Sequence, residues 1–133
     1  MEGVERVCLE SQQRLLSQWF YLLFGQQKLN INYYLKKPIN QRMLKFSGVI
    51  ITYNEERYME ECIKSLMNVV DEIIVVDSYS TDNTKAICEK YNVVFIEQEF
   101  LGYIEQKNFA LEQTTYKHVV SLDGDEALSE ALQ

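Results

Sequence analysis

The stretch that decides the fold is His118-Val119-Val120-Ser121-Leu122-Asp123-Gly124-Asp125-Glu126. An apolar run rich in β-branched residues ends here in two aspartates separated by one glycine. A buried strand with this pattern delivers both carboxylates to the edge of a sheet, where a divalent cation and a phosphate can meet. Two neighbouring carboxylates repel each other without a cation, and the glycine keeps side-chain bulk out of the gap between them. The stretch therefore predicts a strand that ends in a metal site.

Apolar strands alternate with helical patterns from residue 46 onward, upstream of this stretch. The predicted strands are Phe46–Thr52, Glu72–Val76, Asn92–Ile96 and Lys117–Leu122. The predicted helices are Glu56–Val70, a segment capped by Ser80 or Thr81 that runs to about Tyr91, and Tyr103–Gln113. Strands that are apolar on both faces and are joined by helices indicate an α/β fold. We expect a mainly parallel sheet with helices on both faces.

Polar residues follow all four predicted strands; Glu97 and Gln98, after the third strand, are not assigned to a site, and the other three groups are candidates for one. They are Tyr53, Asn54 and Glu55 after the first strand, Asp77 and Ser78 after the second, and Asp123 and Asp125 after the fourth. Right-handed crossovers bring the carboxyl ends of parallel strands to one edge of the sheet, where ligands bind in such folds. We therefore expect these three groups to form one site.

The first 42 residues show no strand–helix alternation. Leucines and Trp19 at helical spacing between residues 15 and 23 predict an amphipathic helix, and Pro38 breaks the chain before the core begins. We therefore divide the chain into a helical or irregular extension, residues 1–42, and an α/β domain, residues 43–133. Met43 stands directly before the first strand, so the native start is either Met1 or Met43.

Composition excludes several classes of protein. The net charge of −7 is unlike that of a nucleic-acid binder, which carries a basic stripe. The longest nearly apolar run of the first third, residues 15–24, is about half of what a membrane span requires. The cysteines Cys8, Cys62 and Cys88 are odd in number and widely spaced, which is typical of reduced, structural thiols. We expect a cytoplasmic protein.

The domain resembles the family 2 glycosyltransferases, which have the Rossmann-like GT-A fold. Four segments carry the resemblance, in the right order, between about residues 46 and 130. They are Ile50-Ile51-Thr52-Tyr53-Asn54-Glu55-Glu56, Ile73-Ile74-Val75-Val76-Asp77-Ser78-Tyr79-Ser80-Thr81-Asp82-Asn83-Thr84, Gln106-Lys107-Asn108-Phe109-Ala110 and the DxD-like Asp123-Gly124-Asp125. The last strand is most similar to that of bacterial enzymes of the lipopolysaccharide-core glucosyltransferase type.

The resemblance implies a role for each matching residue. Tyr53 and Asp77 would contact the base and the ribose of a UDP-sugar, with Asn54 and Glu55 in the same nucleotide-sugar site. Lys107 would reach the phosphates or the uracil edge. Asp123 would hold the ribose or a metal-bound water, and Asp125 would bind Mg²⁺ or Mn²⁺, so that these two aspartates form the metal site.

Each of these residues also has a structural alternative. Asp77 could cap the turn that follows its strand, and Lys107 could be a solvated helix residue. Asn54 and Glu55 could cap the first helix, and the two aspartates could form a simple turn. His118, the single histidine, is expected to be structural.

The resemblance implies the donor-binding portion of an inverting hexosyltransferase that acts on a lipopolysaccharide or another cell-surface glycan. Such transfer needs a general base on the acceptor hydroxyl, which family members supply after the DxD motif. Because the sequence ends at Gln133, we expect a half-domain truncated after the DxD strand and inactive alone. It is a fragment, a truncated gene product, or one piece that self-associates through an exposed sheet edge. The resemblance further implies a peripheral location at the inner membrane. The alternatives are a non-catalytic nucleotide-sugar-binding or assembly module and, less favoured, a phosphotransferase with Asp123 as nucleophile.

Overall fold

The structure, a computed structural model, describes residues 5–8 and 44–133 of the 133-residue chain. The described part contains five strands and three helices. In chain order they are β1 (Glu5–Cys8), β2 (Phe46–Thr52), α1 (Met59–Met67), β3 (Glu72–Asp77), α2 (Thr84–Cys88), β4 (Val94–Glu97), α3 (Tyr103–Glu112) and β5 (His118–Asp123). All four predicted strands and all three predicted helices are present. Strand β2 has the predicted bounds, and helices α1 and α2 are shorter than predicted at both ends.

The strands form one sheet in the order β1-β5-β2-β3-β4, and every neighbouring pair is parallel. The chain moves outward from β2 through β3 to β4, and then crosses back to place β5 on the other side of β2. The carboxyl ends of β2 and β5 thus flank the point where the direction of strand order reverses. In open α/β sheets, ligands bind outside the strand ends at this point.

Strand β1 corrects the description of residues 1–42 as helical or irregular. Glu5–Cys8 pairs in parallel with residues 118–121 of β5 and forms one edge of the sheet. Four residues, two of them charged, are too short for the alternation that identifies a strand, and only the partner strand defines this one. The amphipathic helix predicted between residues 15 and 23, Pro38 and Met43 lie outside the described residues. The domain boundary at residue 43 stays a prediction.

The helices cover both faces of the sheet, as predicted. On one face α1 buries Met59, Cys62, Ile63 and Leu66 completely, whereas Met67, which the helical spacing also predicts to be apolar and buried, is 46% exposed. The four buried residues pack with Ile50 and Val75 of the sheet. On the other face Ala110 of α3 packs against Val49, Ile51, Ile74 and Val76. Neighbouring strand residues enter different clusters because side chains alternate between the two faces.

The described thiols are structural, in agreement with the cysteine pattern. Cys62 and Cys88 are free and fully buried, and burial raises the pKa of each to about 12. Both thiols therefore stay protonated at neutral pH and behave as small apolar side chains. None of the described helices has the length and the apolar character that a bilayer crossing needs.

Glu72 joins the amino ends of three strands at the edge opposite the predicted site. Its carboxylate accepts hydrogen bonds from the Ser47 hydroxyl and from the backbone N–H and hydroxyl of Thr115. Burial raises the pKa of Glu72, but the hydrogen bonds from Ser47, Thr115 and the Tyr116 backbone outweigh it, and the net pKa is lowered from 4.5.

This lowered pKa predicts a pH-dependent contribution to stability. A carboxyl whose pKa is lower in the folded state stabilises the fold above its unfolded pKa, here 4.5, and the contribution disappears as the pH falls through the folded pKa. We expect Glu72→Gln to lower the free energy of unfolding by about 1 kcal/mol at pH 7, since the group is partly exposed. The difference in the free energy of unfolding between Glu72→Gln and the wild type, measured by urea titration, should shrink below about pH 4.5. The exposed Glu99→Gln is the control, and a difference that is constant with pH would contradict the assignment.

Candidate functional site

A cleft of about 570 Å³ opens at the carboxyl ends of the strands, beside the reversal point. Three loops surround it: the first loop, residues 53–58, follows β2; the second loop, residues 78–83, follows β3; and the third loop, residues 124–126, follows β5. The lining residues are Ile51, Thr52, Tyr53, Glu55, Ser78, Phe100, Tyr103, Gln106, Asp123, Gly124 and Asp125. The predicted convergence of three strand ends is therefore present. Of the predicted site residues, Tyr53, Glu55, Asp123 and Asp125 line the cleft, whereas Asn54, Asp77 and Lys107 do not.

The third loop is held by its backbone. The N–H of Gly124 donates to the carbonyl of Ile51 at 2.9 Å, and the N–H of Glu126 donates to the carbonyl of Asp123 at 2.9 Å. The N–H of Asp123 donates to the carboxylate of Glu126 at 3.0 Å. The DxD-like segment is thus a turn, as its structural alternative proposed, and this turn still brings both aspartates to the cleft.

Gly124 sits against the end of β2. A Cβ atom at this position would lie 2.6 Å from Thr52 Oγ1 and 3.1 Å from both Thr52 Cβ and Glu55 Cγ. The sequence predicted that glycine keeps bulk away from the gap between the two aspartates. The structure gives a different reason, because the space that a side chain would occupy already belongs to Thr52 and Glu55.

Lys107 forms an ion pair with Asp123, with 3.1 Å between Lys107 Nζ and Asp123 Oδ1. Lys107 is therefore more than a solvated helix residue, since its ammonium reaches the end of β5. Asp123 Oδ1 is nevertheless buried without a hydrogen-bond partner among the described residues, and so is Thr52 Oγ1. Lysine at this distance compensates the charge of the carboxylate without the geometry of a hydrogen bond. Buried polar atoms in native proteins usually have partners, so these two oxygens are the atoms that a bound ligand or water would satisfy.

The residues present fit a divalent cation that is held jointly by protein and substrate. Asp123 offers a carboxylate oxygen that has no hydrogen bond among the described residues, and the exposed Asp125 lies two residues further on. Within residues 5–8 and 44–133 no three His, Cys, Asp or Glu side chains come close enough to enclose a metal. Mg²⁺ is commonly bound by one or two carboxylates together with substrate phosphates, which is the arrangement that two aspartates allow.

Three consecutive backbone N–H groups of the first loop donate hydrogen bonds to the second loop and to the first residue of α2; they are called here the interloop hydrogen bonds. Asn54, Glu55 and Glu56 donate to Ser80 Oγ at 2.8 Å, Thr84 Oγ1 at 2.9 Å and Asp82 Oδ2 at 3.0 Å, respectively. Side chains of the first loop also accept hydrogen bonds from the second loop. The N–H of Thr81 donates to Asn54 Oδ1 at 2.8 Å, and the N–H of Asn83 donates to Glu56 Oε2 at 3.0 Å. Each loop thus supplies acceptors for the other.

Asn54 therefore contacts the second loop and does not cap helix α1. It has a φ of +54°, which asparagine tolerates better than most residues. The predicted cap of α2 is also corrected. The helix begins at Thr84, whose N–H donates to Asp82 Oδ1 at 2.9 Å, because the Ser80 hydroxyl is already committed to Asp77 and Asn54.

Asp77 is buried at 1% exposure, and its carboxylate accepts hydrogen bonds from the Ser80 N–H at 2.7 Å and from the Ser80 hydroxyl. This is the turn-capping geometry that the sequence left open beside a nucleotide contact. Through Ser80, Asp77 also supports the backbone of Asn54. A nucleotide contact of Asp77 stays a prediction.

Glu55 brings a third carboxyl to the cleft. Its carbonyl accepts hydrogen bonds from the N–H groups of Tyr58 and Met59, so its backbone holds the turn that leads into α1. Its side chain lines the cleft. Burial raises the pKa of Glu55, and the negative charges of Asp125 and Asp82 raise it further. The rim is thus rich in negative charge, which favours a cation there.

Sequence reasoning missed several lining residues. Gln106 is 2% exposed, and its Nε2 donates to the Ser78 hydroxyl at 3.1 Å, which joins α3 to the end of β3. The signal was available, because both residues lie in the quoted segments. Phe100 and Tyr103 form an edge-to-face pair with ring centroids 5.1 Å apart beside the cleft. Both residues come after β4, the strand whose end was not assigned to the predicted site.

The geometry and the motif order agree with a match between residues 47–132 and the profile described as Glycosyl transferase family 2. The chain belongs to glycosyl transferase family 2. An uncharacterized glycosyltransferase of Rickettsia felis is 45% identical over 91 residues, which is 68% of this chain and 32% of the relative. The lipopolysaccharide core biosynthesis glycosyltransferase LpsC of Rhizobium meliloti is 41% identical over 95 residues, which is 68% of this chain and 35% of the relative. The chain spans about a third of the length of the curated relatives it matches.

Solved structures of other glycosyltransferases show the same GT-A fold. Staphylococcus aureus TarS 1–349 in complex with UDP is 31% identical, with a TM-score of 0.54 over 65% of this chain and 29% of TarS. Glucosyl-3-phosphoglycerate synthase of Mycobacterium tuberculosis, in complex with Mn²⁺, UDP and phosphoglyceric acid, is 28% identical. Its TM-score is 0.58 over 68% of this chain and 36% of the synthase. These structural neighbours bind UDP, and the synthase binds Mn²⁺ with it.

Proposed function

We propose that this chain is the donor-binding portion of an inverting glycosyltransferase that uses a UDP-sugar and a divalent cation. The observation that carries the proposal is Asp123 Oδ1, which is buried without a hydrogen-bond partner among the described residues and lies at the end of β5, in a cleft at the reversal point of the sheet. Membership of family 2 and the UDP complexes of two structural neighbours support it.

The proposed roles follow from what each side chain offers in this cleft. Asp123 and Asp125 would hold Mg²⁺ or Mn²⁺, whose chemistry here is the neutralisation of charge on the diphosphate as the glycosidic bond breaks. Tyr53 is 57% exposed at the cleft and presents a ring for stacking on the base. Lys107 would donate to a phosphate oxygen, and Asp77 and Asn54 would hold the first and second loops in place around the nucleotide.

The acceptor and the setting are further parts of the proposal. The likeness to LpsC supports a hexose donor and a lipopolysaccharide or related glycan acceptor, at the cytoplasmic face of the inner membrane. We propose that the 133-residue chain binds the donor without transferring it, because the chain covers only 32% and 35% of the length of these relatives. Self-association would use the edge strand β4, whose end residues Val94 and Glu97 are exposed.

Calorimetric titration of the 133-residue chain tests the donor site. We expect UDP to bind in the presence of Mn²⁺, and to bind at least about tenfold more weakly in EDTA, because the two aspartates would then face the diphosphate without a cation. ADP with Mn²⁺ is the matched nucleotide control. Equal binding of UDP with and without Mn²⁺, or no binding at all, would overturn the proposal. Formation of a glycoside from UDP-glucose by this chain would contradict the part that it does not transfer.

A further inference from the structure

The ion pair between Lys107 and Asp123 differs from the other ion pairs of the described residues. The Lys107 side chain is 28% exposed, whereas those of Lys85 and Lys64, paired with Glu97 and Glu60, are 47% and 58% exposed. The Lys107 pair also lies at the cleft, while the other two lie on the surface away from it. Partial burial makes a charge pair stronger than an exposed one, because solvent screens it less.

The position of the ammonium coincides with the place proposed for the divalent cation. Lys107 Nζ lies 3.1 Å from Asp123 Oδ1, the oxygen that is buried without a hydrogen bond. The third loop and Glu55 add negative charge on the same rim, so a positive charge is needed there when no ligand is bound. Lysine carries this charge on a flexible stem, so it can leave without disturbing the fold.

We propose that Lys107 acts as an internal cation that occupies Asp123 in the absence of donor and competes with the divalent metal for this carboxylate. The inference rests on the proposed function. When the donor binds, its diphosphate gives the ammonium a new anionic partner and leaves Asp123 to the metal. Metal and donor therefore bind with positive coupling, and each raises the affinity of the other by the same factor. Lys107 is thus a positioning residue for the metal as well as a contact for the donor.

The test is a pair of measurements with effects of opposite sign. Lys107→Met should bind Mn²⁺ alone about tenfold more tightly than the wild type, because no internal cation competes. The same variant should bind UDP in saturating Mn²⁺ about tenfold more weakly, because a charge-assisted contact is lost. Electron paramagnetic resonance of free Mn²⁺ gives the first affinity, and calorimetry gives the second. Lys85→Met is the matched control, since it removes the same charge from an ion pair outside the cleft.

The outcomes separate this inference from the proposed function. Unchanged or weaker Mn²⁺ binding in Lys107→Met overturns the competition, and so does equal tightening in Lys85→Met, which would reflect net charge alone. Lys107→Arg keeps a cation near Asp123 and should retain the weak Mn²⁺ binding of the wild type; it also serves if the methionine variant does not fold. Failure of the wild type to bind UDP with Mn²⁺ would refute the proposed function. The Mn²⁺ affinities of the wild type and Lys107→Met, measured without UDP, would still decide whether Lys107 competes with the metal.

Discussion

Asp125→Ala is expected to weaken UDP binding in the presence of Mn²⁺ by about 100-fold. Losing one of two carboxylates that hold the cation removes a charged contact, at about 3 kcal/mol of binding free energy. Asp125 is exposed, so the free energy of unfolding should change by no more than about 0.5 kcal/mol. The pKa of Glu55 should fall, because the negative charge of Asp125 contributes to raising it. Calorimetry and urea unfolding measure the two free energies on the same protein.

Glu130→Ala is the matched control for this substitution. It removes an exposed carboxylate from the same carboxyl-terminal segment, outside the cleft lining, and should leave UDP binding unchanged. In EDTA, Asp125→Ala should bind UDP no more weakly than the wild type does, because the aspartate favours UDP binding only through the cation. A variant that binds UDP with Mn²⁺ as tightly as the wild type does would show that Asp125 is not a metal ligand.

Gly124→Ala should damage both the fold and the site. The new Cβ would lie 2.6 Å from Thr52 Oγ1 and 3.1 Å from Thr52 Cβ, and Thr52 is only 6% exposed, so backbone or side chain must move. Overpacking of this kind costs about 1–3 kcal/mol. Because the Gly124 N–H donates to the Ile51 carbonyl, the movement displaces the turn that carries both aspartates. We expect the affinity for UDP in the presence of Mn²⁺ to fall by more than about tenfold, because small displacements of binding groups strongly weaken such sites.

A second substitution makes the steric explanation testable. Thr52→Ala removes the hydroxyl that the new methyl group would meet first. The double variant Thr52→Ala with Gly124→Ala should recover at least about 1 kcal/mol of the unfolding free energy that the single alanine at residue 124 loses. Urea titrations of the four proteins give the coupling between the two positions. Additive losses would refute the contact with Thr52 as the cause.

Much of the fold was predictable because its strands are apolar on both faces. All residues of β2 are buried, and Val49, Ile50 and Ile51 alternate between the two clusters, so this strand is buried on both faces, as in a helix-covered parallel sheet. Parallel connection then places Tyr53, Asp77 and Asp123 at one edge with no further information. Strand β1 was missed because four residues carry no period, and its pairing with β5 is a contact across more than a hundred residues.

The roles of polar residues within the site were less predictable than their location. A polar side chain after a strand can face a ligand or a neighbouring loop, and the sequence is the same in either case. Asp77 and Asn54 make hydrogen bonds with the second loop, whereas Tyr53 and Glu55 line the cleft. The ion pair between Lys107 and Asp123 joins α3 to β5. The residue types around either position do not predict that these two side chains meet. Roles of this kind depend on tertiary contacts.

The interloop hydrogen bonds have a consequence for engineering and for divergence. Three consecutive N–H groups of residues 54–56 depend on side chains at positions 80, 82 and 84, and positions 81 and 83 depend on residues 54 and 56 in turn. If only one of these two segments were replaced by that of another glycosyltransferase, its N–H groups would lose the side chains that accept their hydrogen bonds. The two segments should therefore be exchanged together, as a single cassette, in any attempt to transfer donor preference between homologues.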